Sequence, residues 1–339
     1  MKILLISTQV FPVPPANFGY GGLEVVVYDL AEELGLMGHD VYVLCSDGSK
    51  GEHFQVITPV AASFANDEGG AYEAIKPALK DFDIIHDHSW GGHVYLAKKE
   101  SPRLRVLHTI HSPMPYLSKP VEKPNFVVAS KWHQAYLKHE LRFETRVVHH
   151  GIDLKRYPYC EEKEDYLLFM ARVTAYKGAG EFIKLCRATG QRGLLAGEDM
   201  YVEDQRDTIR QVMEACDGRL IRYLGRVSGQ YKIELLQKAK VLVSPLKEPY
   251  FEIFGLSTVE AMACGTPVLS TDRGAASELI QHGVSGAVAT NERCLVENLS
   301  IATKCAPEAC RARAAEFPRQ RMAEGYLKLY EAMLDGEEW

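Results

Sequence analysis

Long apolar runs are absent from the sequence, and neither charge is in large excess. No stretch approaches the roughly 18 consecutive apolar residues of a membrane-spanning helix. The 39 Lys and Arg and the 45 Asp and Glu leave a formal charge of −6, so no global positive field attracts nucleic acid. The apolar run Ile3–Ile6 is too short for the core of a signal peptide. We therefore expect a cytoplasmic protein without a membrane span that binds no nucleic acid.

Cysteine pairs with C-x-x-C spacing are also missing. The eight cysteines are scattered through the 339 residues. In a chain of this length, such a pattern is typical of reduced, mostly buried thiols in a cytosol. An oxidised Cys305–Cys310 pair is the alternative interpretation.

The sequence does contain an ordinary globular composition, with 46% hydrophobic and 25% charged residues, which excludes wholesale disorder. At roughly 150 residues per domain, the length predicts about two domains. Short apolar runs alternate with helical patterns, and the alternation restarts after the charged stretch Glu161–Asp165. This pattern predicts two α/β halves, each with a parallel sheet covered by helices.

Both halves contain several predicted strands. In such sheets, ligands bind at the carboxyl ends of the strands, so the residues after each strand matter most. The predicted strands are Lys2–Ser7, Asp40–Leu44, Ile84–His86, Val106–Ile110, Phe126–Ala129, Arg146–His149, Tyr166–Met170, Gly193–Ala196, Leu220–Leu224, Lys240–Val243 and Pro267–Ser270.

The clearest motif runs from Glu252 to Val268. A helix is predicted to begin near Leu256–Ser257 and to end at Gly265. Its first turn leaves backbone N–H groups unpaired and carries about +0.5 charge, which suits an anion. Glu252 just before the helix and Glu260 one turn inside it would repel a phosphate but accept hydrogen bonds from hydroxyls. A nucleotide sugar satisfies both demands; an ordinary helix with a capping carboxylate is the alternative.

Two cations follow the first strand of the second half. Arg172 offers a bidentate fork for phosphate oxygens, and Lys177 five residues later offers a mobile point charge. Together with a helix N-terminus they would stabilise the negative charge that grows on a departing diphosphate. An exposed basic loop is the alternative.

Taken together, these residues resemble the GT-B glycosyltransferases, and among them glycosyltransferase family 4. The resemblance runs from residue 1 to about residue 290, and the ordered set is more specific than any single piece. The matching pieces are Gly21-Gly22-Leu23-Glu24, Gly38-His39-Asp40-Val41, Asp83–His88, Thr109-Ile110-His111, His150-Gly151-Ile152-Asp153 (with His where the family has Asn), Arg172–Gly178 and Glu252–Val268.

The resemblance implies two Rossmann-like domains with parallel sheets facing a central cleft. The N-terminal acceptor domain is expected over residues 1–155 and the C-terminal nucleotide-sugar donor domain over 156–318. The packing of a C-terminal helix within 319–339 stays open. The resemblance also implies a retaining enzyme without metal or cofactor, in which the nucleotide sugar (UDP-, GDP- or another) is a substrate.

The resemblance assigns donor contacts mainly to the second half. Arg172 and Lys177 fall where the family binds the donor diphosphate, and Glu260 falls where it holds the ribose diol. Glu252 falls where it contacts the hydroxyls of the donor sugar and is predicted to be catalytic. The backbone amides of Phe254, Gly255 and Leu256 are expected nearby.

In the first half, Gly21 and Gly22 fall on the loop that approaches the phosphates and the acceptor. His111 falls beside the reacting sugar and is the second predicted catalytic residue; a structural histidine at a strand end is the alternative. Contacts with the acceptor are assigned, as guesses, to Tyr20, Trp90 and Tyr116.

A metal site is the less favoured interpretation of the histidine-rich first half. His86 and His88 share one face of a strand, and His108 and His111 flank the end of another. Since no carboxylate or cysteine lies at a clear ligand spacing, we expect no bound metal. The basic, partly aromatic helix over 131–142 could touch a membrane surface, but a solvated surface helix is favoured.

The sequence thus predicts a retaining, metal-independent glycosyltransferase. Its acceptor, whether a sugar, a lipid-linked sugar or a small molecule, is not identified. No Asp or Glu of the first half stands out as a covalent nucleophile. The family resemblance therefore implies that the acceptor attacks from the face that the diphosphate leaves and that the departing phosphate takes the acceptor's proton. The alternatives are a nucleotide-sugar epimerase or a sugar phosphorylase on the same fold, or a non-catalytic sugar-nucleotide binding protein.

Overall fold

The computed structural model describes residues 1–63, 65–114, 123–197 and 206–339 and divides the chain into two compact units. Unit 1 contains residues 1–152 and 318–339, and unit 2 contains residues 153–317. The sequence had placed the first boundary at 155/156. The C-terminal helix, whose packing the pattern left open, belongs to unit 1.

Among the described residues, unit 1 contains seven parallel strands in the order β3-β2-β1-β4-β5-β6-β7. The inner strand β1 is almost fully buried, as a parallel strand covered on both faces requires. The strands are β1 (Lys2–Ile6), β2 (Asp40–Leu44), β3 (Gln55–Ile57), β4 (Ile84–Asp87), β5 (Val106–Thr109), β6 (Phe126–Val128) and β7 (Thr145–Val147).

In the part of unit 2 that the structure describes, six parallel strands follow the order β10-β9-β8-β11-β12-β13. Both sheets, with the helices between their strands, are Rossmann-like α/β layers, which confirms the predicted fold class. The strands are β8 (Leu167–Met170), β9 (Gly193–Ala196), β10 (Ile221–Gly225), β11 (Val241–Ser244), β12 (Val268–Thr271) and β13 (Gly286–Ala289).

Helices connect these strands in both units. In unit 1 they are α1 (Gly22–Leu36), α2 (Glu68–Ile75), α3 (Val94–Glu100), α4 (Lys131–Leu141) and α12 (Arg319–Leu334). In unit 2 they are α5 (Ala179–Thr189), α6 (Arg206–Ala215), α7 (Gly229–Lys238), α8 (Leu256–Ala263), α9 (Ala276–Leu279), α10 (Leu295–Ala302) and α11 (Pro307–Ala314). Short 3₁₀ turns occur at Ala16–Phe18, Lys76–Asp81 and Glu292–Cys294.

Every predicted strand overlaps an observed one, but the sequence pattern missed β3 and β13. Gln55–Ile57 is a partly exposed edge strand of three residues, so it lacks the apolar run that marked the others. Gly286–Ala289 contains two alanines and a glycine, which have low strand propensity. Both strands form because a neighbouring strand offers its backbone hydrogen bonds.

Helix α12 joins unit 1 through an apolar face and a charged end. Tyr326 and Tyr330 are fully buried, and the Arg319 guanidinium donates to Glu33 of α1 at 2.9 Å. A β-bridge joins Ile152, where the chain leaves unit 1, to Pro318, where it returns to unit 1. Residues 318–339 therefore pack with residues 1–152 as part of unit 1.

All eight cysteines lie within the described ranges and are free thiols. The Cys305–Cys310 disulfide that the sequence left open as an alternative is therefore wrong. Burial raises the pKa of Cys310 to about 12, so this thiol stays protonated at neutral pH. Within the described residues, no helix is both long and apolar enough to cross a bilayer.

Candidate functional site

The first turn of α8 is the candidate anion site of unit 2. The helix begins at Leu256, as predicted, and Gly255 caps it with φ +102°, a conformation that glycine adopts without strain. The amides of the first helical turn have no carbonyl four residues earlier within the helix to bind. Phe254 is buried and packs edge-on against Phe317 at 5.9 Å, which anchors the approach to the helix.

Lys177 and Glu252 meet beside this helix start. The Lys177 ammonium donates a short hydrogen bond to Glu252 Oε2, and the two side chains are only 10% and 30% exposed. Burial lowers the pKa of Lys177, but Glu252 and Tyr250 raise it by more, so the net pKa is raised. Lys177 is therefore a permanent cation at neutral pH. The sequence assigned the two residues to phosphate and to sugar hydroxyls, and the fold brings them into contact.

Two close backbone contacts hold the pair in place. A Cβ on Gly178 would lie 1.9 Å from the Pro245 carbonyl oxygen, and a Cβ on Gly274 would lie 2.0 Å from that of Glu252. Both glycines also have positive φ. The Glu252 carbonyl accepts from the Ala275 amide at 2.9 Å. Because only glycine allows these approaches, close backbone packing fixes the segments that carry Lys177 and Glu252.

Two aromatic side chains connect Arg172 with the Lys177–Glu252 pair. Its guanidinium lies 5.8 Å from the Tyr176 ring centre, and the Lys177 ammonium lies 4.6 Å from the Tyr250 ring. The two rings are 4.6 Å apart. The loop after β8 and the segment before Glu252 thus place both predicted phosphate ligands against one aromatic pair, which the sequence analysis did not name.

Glu260 has different partners. It lies within α8 and is 4% exposed. Its Oε1 accepts from the Tyr157 hydroxyl at 2.6 Å and from Lys232 Nζ at 3.0 Å, and Oε2 lies 2.9 Å from the same ammonium. Sequence reasoning missed Tyr157 and Lys232. Tyr157 carried no signal in the sequence, and Lys232 lies in the first turn of α7.

In unit 1, the two predicted glycines stand at the start of α1. Gly21 caps the helix with φ +116°, and Gly22 is the first helical residue. Glu24 is buried and accepts a short hydrogen bond from the Thr8 hydroxyl. Burial raises the pKa of Glu24 to about 7, although that hydrogen bond lowers it. This buried carboxyl joins the end of β1 to the start of α1, and the sequence analysis gave it no role.

The ends of β4 and β5 bring a group of imidazoles together. His88 Nδ1 lies 2.8 Å from His111 Nε2, and the His111 ring stacks on His150 at 5.2 Å. His86 packs against His88 with ring centres 3.9 Å apart. Burial, and then neighbouring histidines, hold the pKa of His86, His88 and His111 well below 6.5. These rings are therefore neutral at pH 7.

The three guessed acceptor residues receive different outcomes. Trp90 is 44% exposed, and its amide donates to buried Glu68 at 2.9 Å, which fixes the loop after β4. Tyr20 packs edge-on against Phe11 at 5.8 Å. Tyr116 lies outside the described residues. Acceptor contacts of all three stay predictions.

Metal ligation was also considered for the histidine-rich unit 1. Across the described ranges, no group of three or more His, Cys, Asp or Glu side chains is arranged to hold a metal ion. His86 instead bonds the Tyr330 hydroxyl at 2.6 Å and Thr109 at 2.7 Å. The expectation of a metal-independent protein stays a prediction.

Known structures share this two-unit architecture. AviGT4, a glycosyltransferase involved in avilamycin A biosynthesis, is 25% identical with a TM-score of 0.80, over 100% of this chain and 99% of that one. Anabaena HepE in complex with UDP-glucose is 16% identical with a TM-score of 0.72, over 98% and 100%. The architecture is that of the GT-B glycosyltransferases.

Sequence comparison specifies the family. The model of glycosyltransferase family 4 matches residues 20–156 and that of glycosyl transferases group 1 matches residues 155–312. A glycogen synthase of Mycobacterium tuberculosis is 25% identical over 99% of this chain and 96% of its own length. The chain belongs to the GT-B glycosyltransferases of the family 4 type, which confirms the resemblance seen in the motifs.

The Lys232–Glu260 pair provides a test of the unit 2 site. We expect Lys232→Met to lower the free energy of unfolding by about 3 kcal/mol, because a buried carboxylate loses its cation. Adding Glu260→Gln should recover most of that loss. Urea unfolding of the wild type, both single variants and the double variant measures this coupling. Additive single effects would contradict it.

The neutral imidazoles make unit 1 sensitive to acid. Burial lowers the pKa of His150 to about 3 and that of His133 to about 4. Below pH 6.5 these histidines therefore bind protons in the unfolded chain but not in the folded one, and the free energy of unfolding decreases as the pH is lowered. Glu24, with its pKa raised to about 7, and Glu68, also raised, act in the opposite direction. Burial also lowers the pKa of His39, so six depressed histidines outnumber these two carboxyls and acid destabilises on balance.

We therefore expect the free energy of unfolding to decrease between pH 7 and pH 5 by about 2 kcal/mol less in His150→Asn than in the wild type, since the variant takes up one proton fewer on unfolding. Urea unfolding at both pH values measures the difference. His139→Asn is the matched control, because His139 is 85% exposed and should leave the pH dependence unchanged. An equal acid sensitivity of His150→Asn and wild type would show that His150 is protonated in the fold.

Proposed function

We propose that this glycosyltransferase is retaining and metal-independent, and that it moves a sugar from a nucleoside diphosphate donor to a sugar, lipid-linked sugar or small-molecule acceptor. Unit 2 binds the donor and unit 1 binds the acceptor. The eight reduced thiols favour a cytoplasmic location. A UDP-sugar is the first donor to test, because HepE was crystallised with UDP-glucose.

The contact between Lys177 and Glu252 carries the proposal. In a nucleotide sugar, the terminal phosphate and the sugar ring share one bond, so their binding groups must be neighbours. An ammonium has three donors, and Glu252 engages one of those of Lys177. Tyr250 engages a second, and the third can reach a phosphate oxygen while the 30% exposed carboxylate of Glu252 accepts from sugar hydroxyls. A cation and an anion in contact at a helix start suit this mixed ligand better than either charge alone.

Glu260 supplies the third part of the donor site. Tyr157 and Lys232 bond its carboxylate and therefore fix its orientation. A carboxylate has about four acceptor sites and these contacts use three of them, so Oε2 can accept from one hydroxyl of a ribose diol. This assignment rests on the match with the family at Glu260 and on the fixed orientation of its side chain.

The chemistry follows from where charge develops. As the bond between sugar and diphosphate breaks, negative charge grows on the terminal phosphate, and Arg172, Lys177 and the α8 amides stabilise it. Two fixed cations serve the purpose that a metal ion serves elsewhere. The acceptor hydroxyl attacks from the same face, and its proton passes to the departing phosphate. The anomeric configuration is thereby kept.

Two substitutions separate the roles within the pair. Lys177→Met should weaken UDP binding about 10- to 100-fold, the effect of one charge-assisted hydrogen bond. Glu252→Gln should leave UDP binding within about twofold and abolish the extra affinity for the donor sugar. Calorimetry with UDP and a UDP-sugar measures both effects. Lys184→Met is the control, since Lys184 is 78% exposed on the adjacent α5. Unchanged UDP binding by Lys177→Met would contradict the assignment.

The reaction itself is tested with a panel of nucleotide sugars and sugar acceptors in the presence of EDTA. We expect transfer at the same rate with and without the chelator, and NMR of the product should show the donor's anomeric configuration. An inverted product would refute retention, and loss of transfer in EDTA would refute metal independence. A product formed only with inorganic phosphate would indicate a phosphorylase.

A further inference from the structure

His111 shares one hydrogen bond with a second histidine. Its Nε2 lies 2.8 Å from His88 Nδ1, and His88 follows β4 directly while His111 lies two residues beyond β5. These strands are neighbours in the sheet, so the register of β4 and β5 sets the contact. Two imidazoles can join in this way only when one nitrogen carries a proton and the other does not.

The burial of His88 decides which nitrogen carries the proton. His88 has no exposed surface, and its Nε2 has no hydrogen-bond partner among the described residues. If His111 donated the shared hydrogen bond, His88 would carry its own proton on Nε2, as a buried and unpaired N–H group. Buried N–H groups without an acceptor are rarer than unpaired acceptors. The favoured arrangement therefore has the proton on His88 Nδ1.

We propose that His88 is a positioning residue that holds His111 as the neutral tautomer with its proton on Nδ1. His88 Nδ1–H donates to His111 Nε2, so Nε2 is occupied as an acceptor and Nδ1–H is the free polar group. His111 Nδ1 has no hydrogen-bond partner among the described residues, and its side chain is half-buried. His111 therefore offers a hydrogen-bond donor.

The surroundings keep both rings neutral. Burial and the adjacent histidines hold the pKa of His88 and His111 well below 6.5. His150 stacks on the other side of His111 with planes 17° apart, which fixes the ring orientation. His86 cannot redirect the proton, because its two nitrogens bind Tyr330 and Thr109.

The consequence for substrate rests on the proposed function, in which His111 lies beside the reacting sugar. A neutral Nδ1–H group can donate to a hydroxyl oxygen of the donor sugar. It cannot accept the acceptor's proton, because its one lone pair is on Nε2 and is occupied by His88. This leaves the departing phosphate as the proton acceptor.

The tautomer can be read without any activity. Long-range proton–nitrogen NMR of the ¹⁵N-histidine-labelled full chain at pH 7.5 distinguishes protonated from unprotonated ring nitrogens, and His111→Gln identifies the His111 signals by their loss. We expect Nδ1 protonated and Nε2 unprotonated. A proton on His111 Nε2 in the wild type would overturn the proposal, whatever the enzyme transfers.

Two variants test the role of His88. In His88→Phe the tautomer of His111 should move towards Nε2–H, and kcat should fall about tenfold, the effect of one hydrogen bond, with UDP affinity unchanged. His88→Asn keeps an N–H donor near the position of Nδ1 and should restore both the tautomer and most of kcat. If His88→Phe does not fold, His88→Asn and the wild-type spectrum still decide. An unchanged His111 tautomer in a folded His88→Phe would refute the proposal.

Tyr330→Phe is the matched control within the same cluster. It removes the hydrogen bond to His86 but leaves the contact between His88 and His111 intact. We expect lower stability with an unchanged His111 tautomer and an unchanged kcat. A shift of the tautomer in this control would assign the effect to the cluster as a whole and overturn the specific role of His88.

Discussion

The ion pair between Lys177 and Glu252 is the constraint around which unit 2 is arranged. A largely buried ammonium without a partner is costly, and the pairing of Lys177 with Glu252 requires the loop after β8 and the segment before α8 to meet. Gly178 against Pro245 and Gly274 against Glu252 are the backbone contacts that permit the meeting. The pair places one cation and one anion side by side at a helix start, and the proposed donor carries an anionic phosphate for the cation and sugar hydroxyls for the anion.

The two units use opposite electrostatic means. Unit 2 concentrates full charges, with Lys177 and Lys232 each held against a glutamate. Unit 1 collects imidazoles that burial keeps neutral, and their work is done through hydrogen bonds with fixed direction. In the proposed reaction, charge suits the groups that stabilise a diphosphate, whereas neutral donors suit hydroxyls whose position matters more than their charge.

The fold was largely predictable because the central strands are short runs of buried apolar residues separated by amphipathic helices. The edge strands Gln55–Ile57 and Gly286–Ala289 escaped prediction because the first is a partly exposed strand of only three residues and the second consists largely of glycine and alanine. Cys305 and Cys310 show the same limit: their spacing allowed a disulfide, and the structure keeps them as free thiols. Spacing along the chain does not tell how two side chains are oriented in space.

By itself, the sequence determined the kinds of residue that follow each strand and the point where α8 begins, because glycine caps and apolar periodicity act within a few residues. Only the tertiary structure decided which groups pair. Glu260 bonds Tyr157 from 103 positions away, Lys177 bonds Glu252 across 75, and His88 meets His111 across 23. Such pairs depend on sheet order and burial, which bring distant segments together and remove the water that would otherwise satisfy each group alone.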